Sequence, residues 1–290
     1  MTDRKKAEVL IRLLDDPDEY IFSSVQKELK SMGAEVLPFL EECWLVSAND
    51  ILQQRLIAII DAIQQSELHS LMTQWIETTP EDVLKGAYLI ARFQYPDLDF
   101  IDIDKQVKKL ADDVWLEINN NLTALEKVNI INRVLYDMHG FSANDSNFFS
   151  PQNCYINKVL ETKKGNAMTL SIIYLSIAQK LELPIRGINL PNNFIVAYMD
   201  NGIYGNVFRD NVLFYIDPFC KGTVFGRQEI DQFIRRIKLS PHESFYTPCS
   251  NIKIIQRLLS NLIYSYDKSK DRSKIEQLKG LFFIISTKNI

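Results

Sequence analysis

The chain has 290 residues, of which 46% are hydrophobic and 24% charged, and a formal net charge of −4. That length supports a sizeable core shared among two or three units, and the lack of an apolar run near ~18 residues argues against a membrane span. An acidic balance with no basic run interleaved with aromatics gives no general attraction to a phosphate backbone, so neither nucleic acid nor membrane is an expected partner.

Four cysteines, Cys43, Cys154, Cys220 and Cys249, stand far apart without a Cys-x-x-Cys pair, and the three histidines, His69, His139 and His242, have no metal-type spacing. A disulfide framework, a metal and a cofactor are therefore not expected. The N-terminus lacks the apolar stretch and cleavage pattern of a leader, which predicts a cytoplasmic protein.

In chain order, apolar residues recur at helical spacing over Val9–Leu14 and Ile21–Leu29, stop at Gly33, and resume with Val36, Leu37, Leu40 and Leu45. This pattern predicts helix pairs of HEAT-like character over 1–98, with Asn49-Asp50 opening a second pair. A plain helical bundle capping the next domain is the alternative. Pro96 and the acidic stretch Asp97-Leu98-Asp99 mark a boundary, followed by helices over Val107–Ile118 and Leu122–Met138, the latter with a capping box from Thr123 and Glu126.

Residues 140–168, rich in Asn, Ser and Gly, predict an ordered loop. Leu170, Ile173, Tyr174, Ile177 and Leu181 then line one face of a helix. Three strands are expected at Phe194–Met199, Ile203–Phe208 and Val212–Ile216, with a hairpin turn at Asp200-Asn201-Gly202. From Arg227 the pattern is helical, ending in a pair over Ile252–Tyr264 and Ile275–Ile285 joined by a charged turn at Asp267–Asp271. The fold class is α+β, mainly helical, with the divisions 1–98, 99–226 and 227–290.

The segment from Asn147 to Glu161 resembles the signature of the SirB-type transglutaminase-like family. Lys164-Gly165-Asn166-Ala167-Met168-Thr169-Leu170 is similar to that family's Gly-x-Pro-Ile-Ser-Leu helix entry, Leu190-Pro191-Asn192-Asn193-Phe194 to its Pro-Gly-His-Phe strand, and Ile216-Asp217-Pro218-Phe219 to its Asp-Pro-Phe strand end. Arg257-Leu258-Leu259-Ser260-Asn261-Leu262 resembles the start of the family's tetratricopeptide-like tail. The resemblance implies a papain-like core with an antiparallel sheet. It also links the core to F-box proteins that carry a hemimethylated-DNA-binding domain.

Active members of the wider superfamily use a Cys at the start of the helix, a His on one strand and an Asp on the next. The helix macrodipole and the imidazole favour the thiolate, and the carboxylate fixes the imidazole tautomer. Here the resemblance assigns those positions to Ala167, Asn193 and Asp217. A methyl group cannot attack a carbonyl, and an amide is no base near neutral pH. The expectation is therefore no catalytic residue of the usual kind.

Cleft candidates are Asn153, Cys154, Asn157, Gly165, Asn166, Thr169, Asn193, Asp217 and Cys220, with Asn153, Asn157 and Glu161 sharing one face if their segment is helical. Ala143 stands where the family usually has Gly, so a left-handed backbone there would be strained. The leading functional expectation is a non-catalytic interaction or regulatory module that binds protein or peptide. Two others compete with it: a thiol acyl transferase or peptidase using Cys154 or Cys220, and a small-ligand site in the altered cleft.

Overall fold

The computed structural model describes residues 3–200 and 212–287. The chain divides into two compact units between Leu71 and Met72. The first unit holds helices α1 (Asp3–Arg12), α2 (Glu19–Ser31) and α3 (Leu37–Val46), with α4 (Asp50–Thr78) running across the division. Asp18 caps α2 by accepting from the Tyr20 amide, and Gly33, at φ +68°, begins the turn between α2 and α3. Leu14, Leu29, Leu40, Leu56 and Ile59 form a sealed core, and burying each such side chain contributes roughly 1.5–3 kcal/mol. The Arg55 guanidinium lies over the Phe22 ring and donates to the Leu14 and Asp16 carbonyls at 2.7 and 2.8 Å, which fixes the turn between α1 and α2.

The second unit begins with α5 (Val83–Arg92), α6 (Phe100–Trp115) and α7 (Ala124–Asn132). Asp99, expected to mark a boundary, is the cap of α6, so that helix starts earlier than Val107. The capping box of Thr123 and Glu126 is present at α7. Its helix does not continue uniformly to Met138: residues Arg133–Met138 form a π-helical turn.

The expected loop over 140–168 contains regular structure. Strands β1 (Ser142–Ala143) and β2 (Lys164–Gly165) pair in parallel around α8 (Ile156–Thr162). Composition hid these elements because each is only a few residues long and depends on its partner for order. Ala143 lies in β1 and is not among the residues with positive φ, so the strain expected there is absent.

Helix α9 (Ala167–Lys180) is the centre of this unit. Every residue from Met168 to Ala178 is buried, so it presents apolar surface on all sides rather than on the single expected face. Packed on it are α5, α6 and the strands β3 (Ile185–Ile188) and β4 (Ile195–Met199). These strands continue through β5 (Val212–Asp217) and β6 (Thr223–Phe225) as an antiparallel sheet in the order β3-β4-β5-β6. The strands at 194–199 and 212–216 are found. The expected turn at Asn201-Gly202 and strand at Ile203–Phe208 lie outside the described residues.

Helices α10 (Arg227–Arg236), α11 (Asn251–Ser269) and α12 (Arg272–Thr287) complete the unit, with α11 packed on both α5 and α12. Helix α11 runs through Asp267 and Lys268, where a turn was expected, and stops only at Lys270, which takes the left-handed conformation at φ 61°. The architecture is mainly helical with one small antiparallel sheet. No helix among the described residues is long and apolar enough to cross a membrane.

Candidate functional site

The entry to α9 is built by its cap. Asn166 accepts from the Thr169 amide at 3.0 Å, and the Thr169 hydroxyl reaches back to the Asn166 amide, completing a capping box. Thr169 is fully buried and its hydroxyl also lies 2.8 Å from the Asn153 carbonyl. Gly165 is needed here for space: a Cβ would stand 2.8 Å from Thr169 Oγ1 and 2.9 Å from Val159 Cγ1. Ala167 is therefore the first helical residue, at the position where a nucleophile would feel the macrodipole.

Asn153 is buried and satisfied on both sides of its amide. Its nitrogen donates to the Asn147 and Phe148 carbonyls at 2.8 and 3.1 Å, and its oxygen accepts from Asn144 at 2.7 Å. It pins the 144–148 segment. Asn153 does not share a helix face with Asn157 and Glu161: Pro151–Cys154 form a 3-10 turn, Tyr155 is extended, and only Asn157 and Glu161 lie in α8. Asn157 Oδ1 is buried without a partner.

The second group lies across the sheet. Asn193 accepts from the Phe194 amide at 2.8 Å and donates to Asp217 Oδ2 at 3.3 Å. The other oxygen of Asp217 accepts from the Phe219 and Cys220 amides, capping the 3-10 turn Pro218–Cys220. Helix α9 packs against both β4 and this turn, so the two groups flank one helix.

The two candidate cysteines differ in setting, and neither pKa is lowered. Cys154 is fully buried, accepts from the Asn166 amide at 3.2 Å, and has its pKa pushed up to about 12, chiefly by burial. Cys220 is exposed and next to Asp217; partial burial and then that carboxylate raise its pKa. His139 is engaged with Asp113 at 2.8 Å and His242 with Ser244 at 2.7 Å.

Sequence reasoning missed the support behind Asp217. Asn132 donates to the Gly222 carbonyl at 2.8 Å, and Tyr136 donates to the Pro218 carbonyl at 2.9 Å. It also missed an aromatic ridge beside the turn: Phe148, Phe149 and Tyr264, each about half exposed, with Phe148 against Phe219 at 6.2 Å between ring centres and Lys268 over Phe149 and Tyr264. The adjacent Phe148-Phe149 pair was the available signal. A cavity of about 920 Å³ in this unit is lined by none of the candidate residues.

Residues 101–260 match the family described as the Transglutaminase-like superfamily. A UPF0162 protein of Xylella fastidiosa is 29% identical over 219 residues, covering 71% of this chain and 72% of that protein. F-box only protein 21 of Mus musculus is 26% identical over 205 residues, which is 63% of this chain and 32% of the mouse protein. A UPF0162 protein of Pasteurella multocida is 34% identical over 80 residues, 28% of this chain and 30% of that protein. No solved structure matches.

Proposed function

This chain belongs to the transglutaminase-like superfamily, and from that premise we propose that it is a non-catalytic member, of the SirB type, acting as a protein-interaction or regulatory module. The observation that carries the proposal is the direct amide-to-carboxylate bond between Asn193 and Asp217. Acyl transfer of this class needs an imidazole at that place to take and return a proton, and a thiol at Ala167 to attack. The Asp217 carboxylate is instead engaged by two turn amides and one side-chain amide. This supports a structural role.

The ridge of Phe148, Phe149 and Tyr264 with Lys268 supports a peptide or protein partner, because exposed aromatic side chains with few rotatable bonds make effective anchors. The F-box relative carries its matching region within a much longer chain, which is compatible with a module embedded in larger assemblies. On this reading 1–98 is a HEAT-like flank, 99–226 the core and 227–290 a tetratricopeptide-like tail, and the protein works in the cytoplasm. The relocated-cysteine alternative is disfavoured by the burial of Cys154 and the carboxylate beside Cys220.

The test is incubation of the purified full chain with a glutamine-bearing peptide and a primary amine. No ammonia release and no product above the buffer rate are expected. Turnover at enzymatic rates would overturn the proposal.

A further inference from the structure

A second cavity, of about 390 Å³, opens between the start of α11, the segment before it, and α12. Arg257 and Lys253, one turn apart on α11, both line it, together with Asn189, Ser244, Thr247 and Ser260. None of its lining residues is acidic, in a chain with 37 carboxylate side chains and a net charge of −4. Two cations and several hydroxyls thus face a space from which carboxylates are absent.

Arg257 makes that imbalance costly. Its side chain is half-buried, and the partner described for its guanidinium is the neutral Asn189 oxygen, at 2.8 Å from Nη1. Among the described residues no carboxylate forms an ion pair with Arg257 or with Lys253. Burial works against the charged form of Arg257, and a partly desolvated cation left without an anion is unfavourable. Arg55, the comparable half-buried arginine of the first unit, has two carbonyls and the Glu19 carboxylate at 3.6 Å. Arg257 keeps most of its five donors for something else.

We propose that this cavity binds an oxyanion, with the Arg257 fork as the principal donor and Lys253 as a second positive charge at the rim. A planar guanidinium matches the paired oxygens of a phosphate or a carboxylate. Ser244, Thr247 and Ser260 line the wall with their hydroxyl protons engaged by His242 and by the Glu243 and Gln256 carbonyls, so the free donors are the Arg257 fork, Lys253 and the nitrogen of the Asn189 amide that orients Arg257. Pro248 and Phe282 give the remaining wall an apolar lining that keeps the charges poorly screened.

The test uses the full chain, with inorganic phosphate and acetate as probes against chloride at matched ionic strength. Calorimetric titration and thermal unfolding are followed together. Saturable binding of phosphate or acetate is expected, with a Tm that rises with the concentration of that probe. Phosphate alone points to a phosphoryl group as the physiological ligand and acetate to a carboxylate; either supports the site.

Arg257→Lys, which keeps the charge and removes the fork, should weaken binding about tenfold or more. Lys253→Ala, on the exposed rim, should weaken it roughly threefold, and Lys279→Ala, elsewhere on α12, should change nothing. Were Arg257→Lys to misfold, Lys253→Ala decides. A wild-type protein that responds to both probes as it does to chloride overturns the proposal, as does a Lys253→Ala protein that binds as tightly as wild type.

Discussion

Gly222 has φ +72°, and a Cβ built on it would stand 1.9 Å from Asn132 Oδ1. That amide donates to the Gly222 carbonyl and accepts from the buried Tyr174 hydroxyl at 3.2 Å. Gly222→Ala therefore combines backbone strain with the loss of two hydrogen bonds, and a stability loss of about 2–4 kcal/mol is expected in urea denaturation. At the same turn, the charge on Asp217 raises the Cys220 pKa, after the larger effect of burial. Asp217→Asn removes that charge, so the thiolate fraction should rise, and iodoacetamide labelling of Cys220 at pH 8 should quicken roughly two- to fivefold. Unchanged labelling would mean that Asp217 does not govern this thiol. Short motifs single out Asn193 and Asp217, which the structure joins by a hydrogen bond, whereas Asn132 and Tyr136 act on a loop more than 80 residues away and carry no sign of it in their neighbours.

The helix entries differ in what their caps hold. Thr123 caps α7 at the surface, and Thr123→Ala should cost about 1 kcal/mol. Asn166 caps α9 and also donates to Cys154 Sγ inside the unit. Asn166→Ala leaves the Thr169 amide without its cap and the thiol without its donor, so a larger loss of about 2 kcal/mol is expected, read from the same denaturation curves. An equal cost for the two variants would show that the Cys154 contact contributes nothing. The box at α7 is readable because Thr123 and a Glu three residues on are a local signal, whereas Asn166 with Thr169 lacks the Glu or Gln that marks such a box. Strands β3 and β6 were not readable. Ile185–Ile188 and Thr223–Phe225 are too short for alternation to show and are specified by the strands they pair with.

Buried thiols and phenols give the second unit a direction of pH sensitivity. Burial pushes Cys154 up to about 12 and Cys249 up to about 11, from an ordinary 9.0, and raises Tyr136, Tyr155 and Tyr174 as well. A folded-state pKa above the unfolded one means the folded chain holds its protons longer. The associated stability is complete below about pH 9 and is lost as pH rises through the folded values. The urea midpoint should thus fall between pH 8 and 10.5, and Cys154→Ala, though less stable at neutral pH, should fall less steeply. A flat profile would show that these groups are exposed in solution. The helical character and the existence of a core were legible at this scale from scarce glycine and long apolar periodicities. The all-round burial of α9 was not, since a helix enclosed by a sheet and several helices loses the polar face that periodicity detects.

The π-helical turn at Arg133–Met138 bears on how such a chain tolerates revision over generations. A π-turn accommodates one residue more than an α-helix would over the same path. Asn132, at the start of that turn, and Tyr136, within it, hold the Gly222 and Pro218 carbonyls. Deleting a single residue between the two would rotate one about 100° away from the other, so lineages descended from this chain are expected to vary in side chains over 133–135 while keeping the length of that stretch unchanged.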